Sequence, residues 1–357
     1  MVASSPTRIL IAASGTGGHI FPALALAQQL PDYEIQWLGV PNRLETTLIP
    51  EHYPLNTIPI QGFQQRFSPK TIKIIGNFVA SIFQVQKLIK EKDIDAVVTT
   101  GGYIAAPAIL AARLQKKPAV LHESNFIPGK VTRFLSRWCD TVALGFAGTA
   151  QYLPQVDTVH VSTPVRSQFL TQQDLDLEIP PDATLILVVG GSQGAVAVNK
   201  LVREAAPTWL EQGAYIVHLT GNNDPDTESL QHPNYIAMPF YDNMAGLLQR
   251  ANLAISRAGA GTLTELAFTG TPAILIPYPY AAEDHQTYNA KEFAEAGAAL
   301  VYQQSELTKE ILTEQVSQLL RSPEQLQSMA DKASSLAVTD SAEKLAAIVR
   351  SLVENRE

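Results

Sequence analysis

Cysteine is almost absent from this sequence of 357 residues, and basic residues are fewer than acidic ones. With a single cysteine, Cys139, the chain can form neither an intrachain disulfide nor a cysteine-based metal cage, which indicates a reducing, cytoplasmic compartment. The 26 Lys and Arg against 34 Asp and Glu give a formal net charge of −8. Because nucleic-acid phosphates are bound by basic surfaces, this balance argues against a nucleic acid as the main partner.

Long hydrophobic runs are also missing. The apolar run at 9–13 ends at a glycine turn and has no small-residue cleavage site, so we expect no signal peptide. The charge-free stretches 96–112, 183–199 and 266–282 are each broken by Gly or Pro, whereas a membrane-spanning helix needs about 20 continuous apolar residues. We interpret each of them as a strand, a turn and a helix in succession.

Short apolar runs alternate with helical stretches, which predicts parallel strands covered on both faces. These runs are 9–13, 35–38, 96–99, 119–121, 185–189, 216–219, 253–256 and 273–276. A polar, Pro-containing stretch at 162–182 separates two groups of them, and single cores stop growing near roughly 250 to 300 residues. We therefore predict an α/β protein with domains at 1–163 and 164–340, and an amphipathic helix at 341–357 that packs back on the first domain.

Each half begins with a strand, a glycine loop and a helix. The residues Gly15, Thr16 and Gly18 recur at the same spacing as Gly191, Ser192 and Gly194. Backbone N–H groups at such a helix start favour an anion. Two further loops, 101–103 and 258–262, also follow predicted strands. Any one loop could be only a tight turn, but four together favour ligand binding.

Two common nucleotide motifs do not fit these loops. Ile20 occupies the last glycine position of GxGxxG, and no acid follows the second strand at 37–40 to bind a ribose. Gly129 and Lys130 are followed by Val131 instead of Ser or Thr. The sequence thus disfavours a dinucleotide site and a phosphate-loop NTPase.

Several polar residues near the loops of the first half are candidates for chemistry. His19 lies at a helix N-terminus, which disfavours its protonated form, so it is a candidate general base; a structural hydrogen bond to the loop is the alternative. His122, Glu123 and Asn125 follow the strand at 119–121, where parallel sheets present ligand-binding groups. A capped loop would explain those three equally well.

The second half has its own candidates. Glu265 could accept two hydrogen bonds from a ribose diol, or it could close a capping box that begins at Thr262. Gln286 and Asn289 offer amides suited to sugar hydroxyls, although surface polarity alone would also explain them. Arg166 could bind a diphosphate with its planar guanidinium, or simply be an exposed linker residue.

Three Asp-X-Asp pairs have the spacing found in metal-dependent sugar transferases. They are Asp93 with Asp95, Asp174 with Asp176, and Asp224 with Asp226. They lie at a strand start, in the linker and in a proline turn, so we predict no metal site.

The segment 62–92 reverses the acidic balance of the chain. It contains the basic residues Arg66, Lys70, Lys73, Lys87, Lys90 and Lys92, and the single acid Glu91. Between the bases, apolar residues recur at helical spacing, namely Ile72, Ile75, Phe78, Val79, Ile82 and Phe83. This pattern is typical of a helix that lies on an anionic bilayer, but also of a buried helix face with snorkelling lysines.

Seven motifs together resemble one family in order and spacing. They are SGTGGHIFPALALA, TTGGYIAAPA, HESNFIPG, TPVR, GGSQGA, SRAGAGTLTE and EDHQTYNA, spread over about 9–307. The family is the MurG family, the UDP-N-acetylglucosamine:undecaprenyl-pyrophosphoryl-muramoyl-pentapeptide transferases of peptidoglycan synthesis. The resemblance implies a GT-B fold, with two Rossmann-like domains and a cleft between them.

The resemblance also implies roles for the candidate residues. On the donor, UDP-N-acetylglucosamine, Ser192 and loop 190–195 would hold phosphate, Glu265 the ribose, Gln286 and Asn289 the sugar hydroxyls, and Arg166 the diphosphate. Thr16, Gly17, Gly18 and Asn125 would complete the cleft from the other domain. The acceptor side would comprise His122, Glu123, Gly102 and Tyr103, and the membrane patch Ile72, Ile75, Phe78, Val79, Ile82, Lys70 and Lys73.

The implied reaction is an inverting transfer of N-acetylglucosamine to the muramoyl 4-hydroxyl of a lipid-linked muramoyl-pentapeptide, with His19 as the leading candidate base and no cofactor. The implied location is the cytoplasmic face of the bacterial plasma membrane, with its anionic surface and other cell-wall synthesis proteins as partners. The sequence departs from the family pattern at Ser124, Thr132 and Thr163. Two competing hypotheses are a sugar-nucleotide 2-epimerase of the same fold and a non-catalytic nucleotide-sugar sensor.

Overall fold

The computed structural model describes residues 6–60, 69–191 and 194–355, without the side chains of 69–72. The chain forms two compact units. Unit 1 consists of Met1–Arg166 and Asp340–Glu357, and unit 2 consists of Ser167–Thr339. The division falls after Arg166, three residues beyond the boundary that we placed after Thr163.

Unit 1 contains a seven-stranded parallel sheet in the order β3-β2-β1-β4-β5-β6-β7. Its strands are β1 (Arg8–Ala12), β2 (Glu34–Gly39), β3 (Leu55–Thr57), β4 (Ala96–Thr99), β5 (Ala119–Glu123), β6 (Thr141–Leu144) and β7 (Thr158–His160). Its first five helices are α1 (Gly17–Gln28), α2 (Glu45–Leu48), α3 (Pro69–Glu91), α4 (Ala105–Leu114) and α5 (Lys130–Leu135). Short 3-10 helices occupy Ser136–Trp138 and Ala147–Tyr152.

Unit 2 repeats this plan with a six-stranded parallel sheet in the order β10-β9-β8-β11-β12-β13. Its strands are β8 (Leu185–Val189), β9 (Tyr215–Leu219), β10 (Tyr235–Met238), β11 (Leu253–Ser256), β12 (Ala273–Leu275) and β13 (Ala299–Val301). Its helices are α6 (Val196–Glu211), α7 (Met244–Arg250), α8 (Ala260–Thr269), α9 (His285–Ala296), α10 (Lys309–Leu320) and α11 (Pro323–Ser335). Two 3-10 helices lie at Ser167–Leu170 and Ala282–Asp284.

The eight apolar runs of the sequence all form central strands, so the predicted fold class is confirmed. The strands β1, β4, β8 and β11 are almost wholly buried because helices cover both faces of each sheet. Five strands were not predicted: β3, β6, β7, β10 and β13. They have three or four residues each and lie toward the sheet edges, so they are not part of the central apolar strands that the pattern identifies most readily.

The last helix, α12 (Ser341–Glu354), belongs to unit 1 although it follows all of unit 2 in the chain. Its apolar face joins the buried core above β1 and α1, to which it contributes Leu345, Ala346, Val349 and Val353. The guanidinium of Arg350 forms a two-pronged ion pair with Asp32, at 2.5 and 2.6 Å, and stacks on the ring of Tyr33. This hydrogen-bonded pair lowers the pKa of Asp32 to about 2.

Among the helices of the described residues, we find none that is both long and apolar enough to span a bilayer.

Candidate functional site

The four glycine loops lie at equivalent places in the two sheets. In unit 1 they follow β1 and β4, which are paired neighbours, and in unit 2 they follow β8 and β11, which are also paired. The strand order reverses direction between the members of each pair. In open α/β sheets, ligands bind outside the carboxyl ends of the strands at this reversal. The fold therefore gives each unit one candidate ligand site.

The first glycine loop leads into α1, whose N-cap is Thr16. The Thr16 side chain makes no capping hydrogen bond, so the cap does not use its hydroxyl to satisfy a helix N–H group. A β-carbon on Gly17 would lie 2.7 Å from the ring of Phe21, so only glycine allows this packing. Gly18 follows in the first turn and is exposed. The start of α1 thus presents backbone donors that suit an anion or a hydroxyl oxygen.

His19 is held in one orientation by the loop after β4. Its Nδ1 lies 2.6 Å from the carbonyl oxygen of Thr100, and the Thr100 hydroxyl donates to the His19 carbonyl at 2.8 Å. A carbonyl oxygen can only accept, so Nδ1 carries the proton and the neutral ring has Nε2 as its acceptor. The partly exposed ring therefore has the orientation that a general base requires.

Gly101 and Gly102 pass directly beside the His19 ring. Both have positive φ, +94° and +75°, a conformation that other residues rarely adopt. A β-carbon on Gly102 would lie 3.6 Å from Nε2 of His19. The next residue, Tyr103, is 48% exposed. The loop after β4 thus forms one wall of the His19 site.

Glu123 organises the loop that follows β5. Its carboxylate accepts hydrogen bonds from the backbone and side chain of Asn125, from the Gly129 N–H, and from the Thr132 hydroxyl at 2.6 Å. Glu123 is 7% exposed and Asn125 is partly exposed. Glu123 thus braces the loop from within, while Asn125 lies nearer the surface.

His122 is fully buried in unit 1. Its Nε2 donates to the Ser162 carbonyl at 2.9 Å, and the hydroxyl of Ser124 lies 3.4 Å from its Nδ1. Burial lowers the pKa of His122, so the ring is neutral. Its position ties the end of β5 to residue 162, and its ring has no exposed surface.

Arg166, the last residue of the continuous part of unit 1, packs against α1. Its guanidinium carbon lies 4.3 Å from the centroid of the Phe21 ring. Since Phe21 in turn packs on Gly17, the cation is placed near the start of α1. Stacking of this kind fixes the orientation of the planar guanidinium.

The glycine loop of unit 2 is shaped by close backbone approaches. A β-carbon on Gly190 would lie 2.5 Å from the Ala195 nitrogen, and one on Gly194 would lie 2.4 Å from the Thr220 carbonyl oxygen. Gly191 and Gly194 have φ values of +85° and +76°. Ser192, our candidate phosphate-binding residue, lies outside the described residues. The described part of the loop leads into α6 and its N-terminus.

Beneath this loop lies a buried polar network that we did not predict from the sequence. Asn199 donates to the Thr220 carbonyl and to Asp224, at 2.8 and 2.7 Å, and Arg203 makes two hydrogen bonds to the same carboxylate. Burial raises the pKa of Asp224, but the hydrogen bonds from Arg203, from a backbone N–H and from Asn199 outweigh it and lower that pKa to about 2. The only signal in the sequence is a polar residue, Asn199, at an apolar position of a helix.

The same network continues to His218 and Tyr235. The Tyr235 hydroxyl donates to Nδ1 of His218 at 2.7 Å, and Nε2 of His218 donates to the Asn199 oxygen at 3.1 Å. Burial lowers the pKa of His218 to about 3. The network thus joins β9 and β10 to the first turn of α6 through neutral and charged groups that all have partners.

In unit 2, α9 clamps the loop that precedes α8. Gln286 Oε1 accepts from the Ala258 and Tyr278 N–H groups, at 3.2 and 2.9 Å, while Asn289 Nδ2 donates to the Ala258 carbonyl at 3.2 Å. Gln286 is partly exposed, whereas Asn289 has no exposed surface. Both backbone groups of Ala258 are therefore held by amides one turn apart.

The capping-box interpretation of Glu265 is wrong. The helix α8 begins at Ala260 with Gly259 as its N-cap, so Thr262 lies inside the helix and cannot be its cap. Glu265 lies within the helix and is partly exposed. A partly exposed carboxylate at this place is compatible with the alternative role in ribose binding.

At least one carboxylate of each Asp-X-Asp pair has a protein partner, and that of Asp176 is the Tyr241 hydroxyl. Asp95 accepts from the Arg8 backbone, and Asp224 is the buried partner of Arg203. Within the described ranges, no group of three His, Cys, Asp or Glu side chains could hold a metal ion.

The structure divides the predicted membrane patch into two faces of α3. Ile75, Val79 and Phe83 are 46%, 44% and 64% exposed and follow one another at intervals of four residues. Phe78 and Ile82 instead pack against the core of unit 1, because the adjacent side of the helix faces α4. Lys73 is exposed, whereas the side chains of Lys70 and Ile72 lie outside the described residues. We call the residues Ile75, Val79 and Phe83 the exposed stripe.

Comparisons with known proteins match both units. The model of the glycosyltransferase family 28 N-terminal domain matches residues 9–144, and that of the family 28 C-terminal domain matches 185–345. The chain is similar to the MurG structure of Acinetobacter baumannii, with 32% identity, a TM-score of 0.76, and coverage of 97% of this chain and 100% of that one. A Listeria monocytogenes structure named as a UDP-N-acetylglucosamine 2-epimerase has a TM-score of 0.73 at 15% identity, with 98% of both chains covered, which shows the fold alone.

The two domain matches and the paired parallel sheets define a glycosyltransferase with the GT-B fold. A Gloeothece citriformis protein is 68% identical over 346 residues, which cover 97% of this chain and 96% of that protein. It carries the name UDP-N-acetylglucosamine–N-acetylmuramyl-(pentapeptide) pyrophosphoryl-undecaprenol N-acetylglucosamine transferase. The chain belongs to that family, the MurG family, and is an N-acetylglucosaminyltransferase of peptidoglycan synthesis.

Proposed function

We propose that this chain transfers N-acetylglucosamine from UDP-N-acetylglucosamine to the 4-hydroxyl of the muramoyl sugar in undecaprenyl-pyrophosphoryl-muramoyl-pentapeptide. In one displacement, the 4-oxygen forms a bond to the sugar C1, the bond between C1 and the phosphate oxygen breaks, and UDP leaves with its electron pair. The α-linked sugar becomes β-linked, so no covalent sugar-enzyme intermediate is needed. The 68% identity over nearly the whole chain carries this proposal.

The acceptor hydroxyl must lose a proton, and His19 is the group that we assign to this step. The Nδ1 bond to Thr100 leaves Nε2 as the acceptor of the neutral ring, and the Gly101–Gly102 backbone allows close approach to it. A base positioned in this way contributes about 10² to 10⁴ in rate. After transfer, Nε2 carries the proton that the 4-hydroxyl has lost.

We assign the rest of the unit 1 site to substrate orientation. Thr16, Gly17 and Gly18 offer the donors of the α1 start, and Asn125 and Tyr103 offer exposed groups on neighbouring loops. The buried residues Glu123 and His122 contribute indirectly, because their hydrogen bonds fix the loop after β5. In this assignment they shape the acceptor side without touching the sugar.

The donor is assigned to unit 2. The loop 190–195, with Ser192, and the start of α6 suit phosphate oxygens, and Glu265 suits the ribose hydroxyls. Gln286 is the partly exposed amide for the hexosamine, whereas covered Asn289 reaches a sugar only if its neighbours move. Arg166, which belongs to unit 1 and is oriented by Phe21, is the further cation that we assign to the diphosphate. These fixed donors stabilise the departing UDP, and we propose that no cofactor takes part.

The acceptor is carried by a lipid, so we propose that the enzyme works at the cytoplasmic face of the plasma membrane. The exposed stripe and Lys73 combine apolar and basic groups on one helix of unit 1. Such a surface suits an anionic bilayer. Other cell-wall synthesis proteins are further candidate partners at that surface.

The test is to incubate the enzyme with UDP-N-acetylglucosamine, with and without the lipid-linked muramoyl-pentapeptide. We expect UDP and a β-linked disaccharide only when the acceptor is present, and the same rate with a chelator. Release of UDP at the same rate without acceptor would contradict transfer. Conversion of the donor to its 2-epimer, seen by proton NMR, would identify an epimerase instead.

A further inference from the structure

We propose that Glu45, a residue outside every motif described above, is a positioning residue that holds the first glycine loop in its working shape. Glu45 begins the one-turn helix α2 and is fully buried. Its carboxylate lies beneath Ser14 and Gly15, the residues just before the start of α1. The inference rests on the proposed role of this loop and His19 in acceptor chemistry.

Three donors converge on the Glu45 carboxylate. Oε1 accepts from the Ser14 hydroxyl at 2.5 Å and from the Val40 N–H at 2.7 Å, and Oε2 accepts from the Gly15 N–H at 3.2 Å. Hydrogen bonds to an ionised acceptor are roughly twice as strong as neutral ones. The carboxylate therefore ties the glycine loop to the end of β2.

The surroundings are shaped to admit this carboxylate. A β-carbon on Gly39 would lie 2.7 Å from Glu45 Cγ and 3.1 Å from Oε1, so any larger residue at 39 would displace the side chain. Gly15 itself has a φ of +102°, which its bond to Glu45 helps to maintain. A buried carboxylate needs hydrogen-bond partners to offset its loss of water, and this site provides both the space and the partners. The close fit therefore indicates that Glu45 specifically holds the glycine loop.

Glu45 affects the position of His19 through the short stretch of chain that joins Gly15 to His19. Gly15 precedes Thr16, the N-cap of α1, and His19 lies in the first turn of that helix. A shift at Gly15 would therefore move the helix start and the imidazole together. The Gly15 N–H already donates to the Glu45 carboxylate, so the N–H groups of the residues that follow Gly15 are the ones left for a substrate.

Substitution by glutamine separates hydrogen bonding from space filling. An amide at position 45 keeps the size of the side chain, but its NH₂ group must face at least one donor, either the Gly15 N–H or the Ser14 and Val40 pair. If Glu45 only filled space, E45Q would be harmless. If it positions the loop by accepting hydrogen bonds, E45Q will misplace the loop.

The experiment compares E45Q with wild type and with V85A, which removes two methyl groups from a fully buried residue of α3 that takes no part in the hydrogen bonds of Glu45. We expect E45Q to lower kcat by about 100-fold, the effect of a displacement of about 1 Å in reacting groups. The KM for UDP-N-acetylglucosamine should change much less than kcat, because most of the proposed donor contacts belong to unit 2. V85A should lower the melting temperature without lowering kcat.

Full kcat in E45Q, or an equal loss of kcat in V85A at a similar melting temperature, would overturn the proposal. Should E45Q not fold, S14A provides the second variant, because it removes one donor and leaves the carboxylate in place. We then expect kcat to fall by about tenfold, the equivalent of one hydrogen bond to a charged group. Unchanged kcat in S14A would also overturn it. Absence of sugar transfer by the wild-type enzyme, in contrast, would reject the proposed function and not the positioning role of Glu45.

Discussion

The hydroxyl of Tyr235 donates a hydrogen bond to Nδ1 of His218, 2.7 Å away and out of reach of solvent. Protonation of that nitrogen would remove this bond inside a buried site. Burial accordingly lowers the pKa of His218 to about 3 and raises that of Tyr235 to about 12. The pair is therefore neutral near pH 7.

This relationship predicts acid sensitivity in unit 2. The unfolded chain binds a proton at His218 below its ordinary pKa of 6.5, whereas the folded chain does not until about 3. The free energy of unfolding should thus fall as the pH drops from 6.5, by about 2 kcal/mol at pH 5. This change in the free energy of unfolding can be measured at each pH by hydrogen exchange of the β9 backbone amides in urea. H218Q should remove the dependence and H232Q, a change at an exposed histidine, should keep it; equal slopes in both would contradict the assignment.

The close approach of Gly194 to Thr220 predicts a specific defect in donor binding. G194A would place a β-carbon 2.4 Å from a carbonyl oxygen and would force the loop to move. We expect the KM for UDP-N-acetylglucosamine to rise by roughly tenfold or more, as for loss of about 1.4 kcal/mol of binding. Gly213 is the matched control, since its φ is +86° but its β-carbon would meet nothing within 4 Å. G213A should lose stability and keep the KM; a raised KM in both would show a general effect.

The orientation of His19 predicts a loss of catalytic rate without a loss of donor binding. H19Q should lower kcat/KM by about 10² to 10⁴-fold, and donor binding, measured by calorimetry, should stay the same. H160Q, at an exposed histidine of β7, serves as the control. A kcat/KM in H19Q close to that of wild type and H160Q would assign the base to another group.

The bond from Thr132 to Glu123 predicts a difference between two conservative variants. T132V removes the hydroxyl that donates to the buried carboxylate at 2.6 Å, whereas T132S keeps it. Loss of a hydrogen bond to a charged group costs about 1.5 to 3 kcal/mol. Urea unfolding should show this loss in T132V alone, together with a higher KM for the acceptor. Identical unfolding curves for the two variants would show that the hydroxyl is not needed.

The exposed stripe of α3 predicts binding to anionic vesicles. The double variant I75E and F83E should reduce sedimentation with phosphatidylglycerol vesicles, because it adds two negative charges to the apolar face. N77E with Q84E adds the same charge at exposed positions that face away from the stripe, at 3.6 residues per turn. We expect the control to bind nearly as well as wild type. Equal losses of vesicle binding in the two double variants would show that only the net charge matters. Unchanged binding in both would show that the exposed stripe takes no part in membrane binding.

The sequence predicted those parts of the molecule that depend on local pattern. The runs at 96–99, 185–189 and 253–256 form strands with the same residue bounds, because continuous apolar segments must be buried in a parallel sheet. The glycine loops were recognisable for a similar reason, since positive φ and close packing restrict the residue type at Gly101 and Gly194. Their common location follows once the strands are in order.

Other features depend on contacts that no local pattern encodes. Glu45 lies in a polar stretch with no periodicity, and its role arises only when β2 places it under Ser14. Asp224 resembles half of a metal motif in sequence, yet folding brings Arg203 to it. On α3, periodicity identified the apolar residues but could not separate core-facing Phe78 from exposed Phe83, since both faces have helical spacing.

The placement of α12 has a consequence for synthesis. When the ribosome has completed residues 1–166, the side chains of Leu345 and Val349 that close the core of unit 1 do not yet exist. At about 5 to 20 residues per second, the nascent first unit waits many seconds with that apolar surface open while all of unit 2 emerges. Unit 2, which is continuous in the chain, can finish first. The second unit can therefore complete its folding before the first, against the usual N-to-C order. A chain that terminates before α12 has a first unit whose core lacks these side chains.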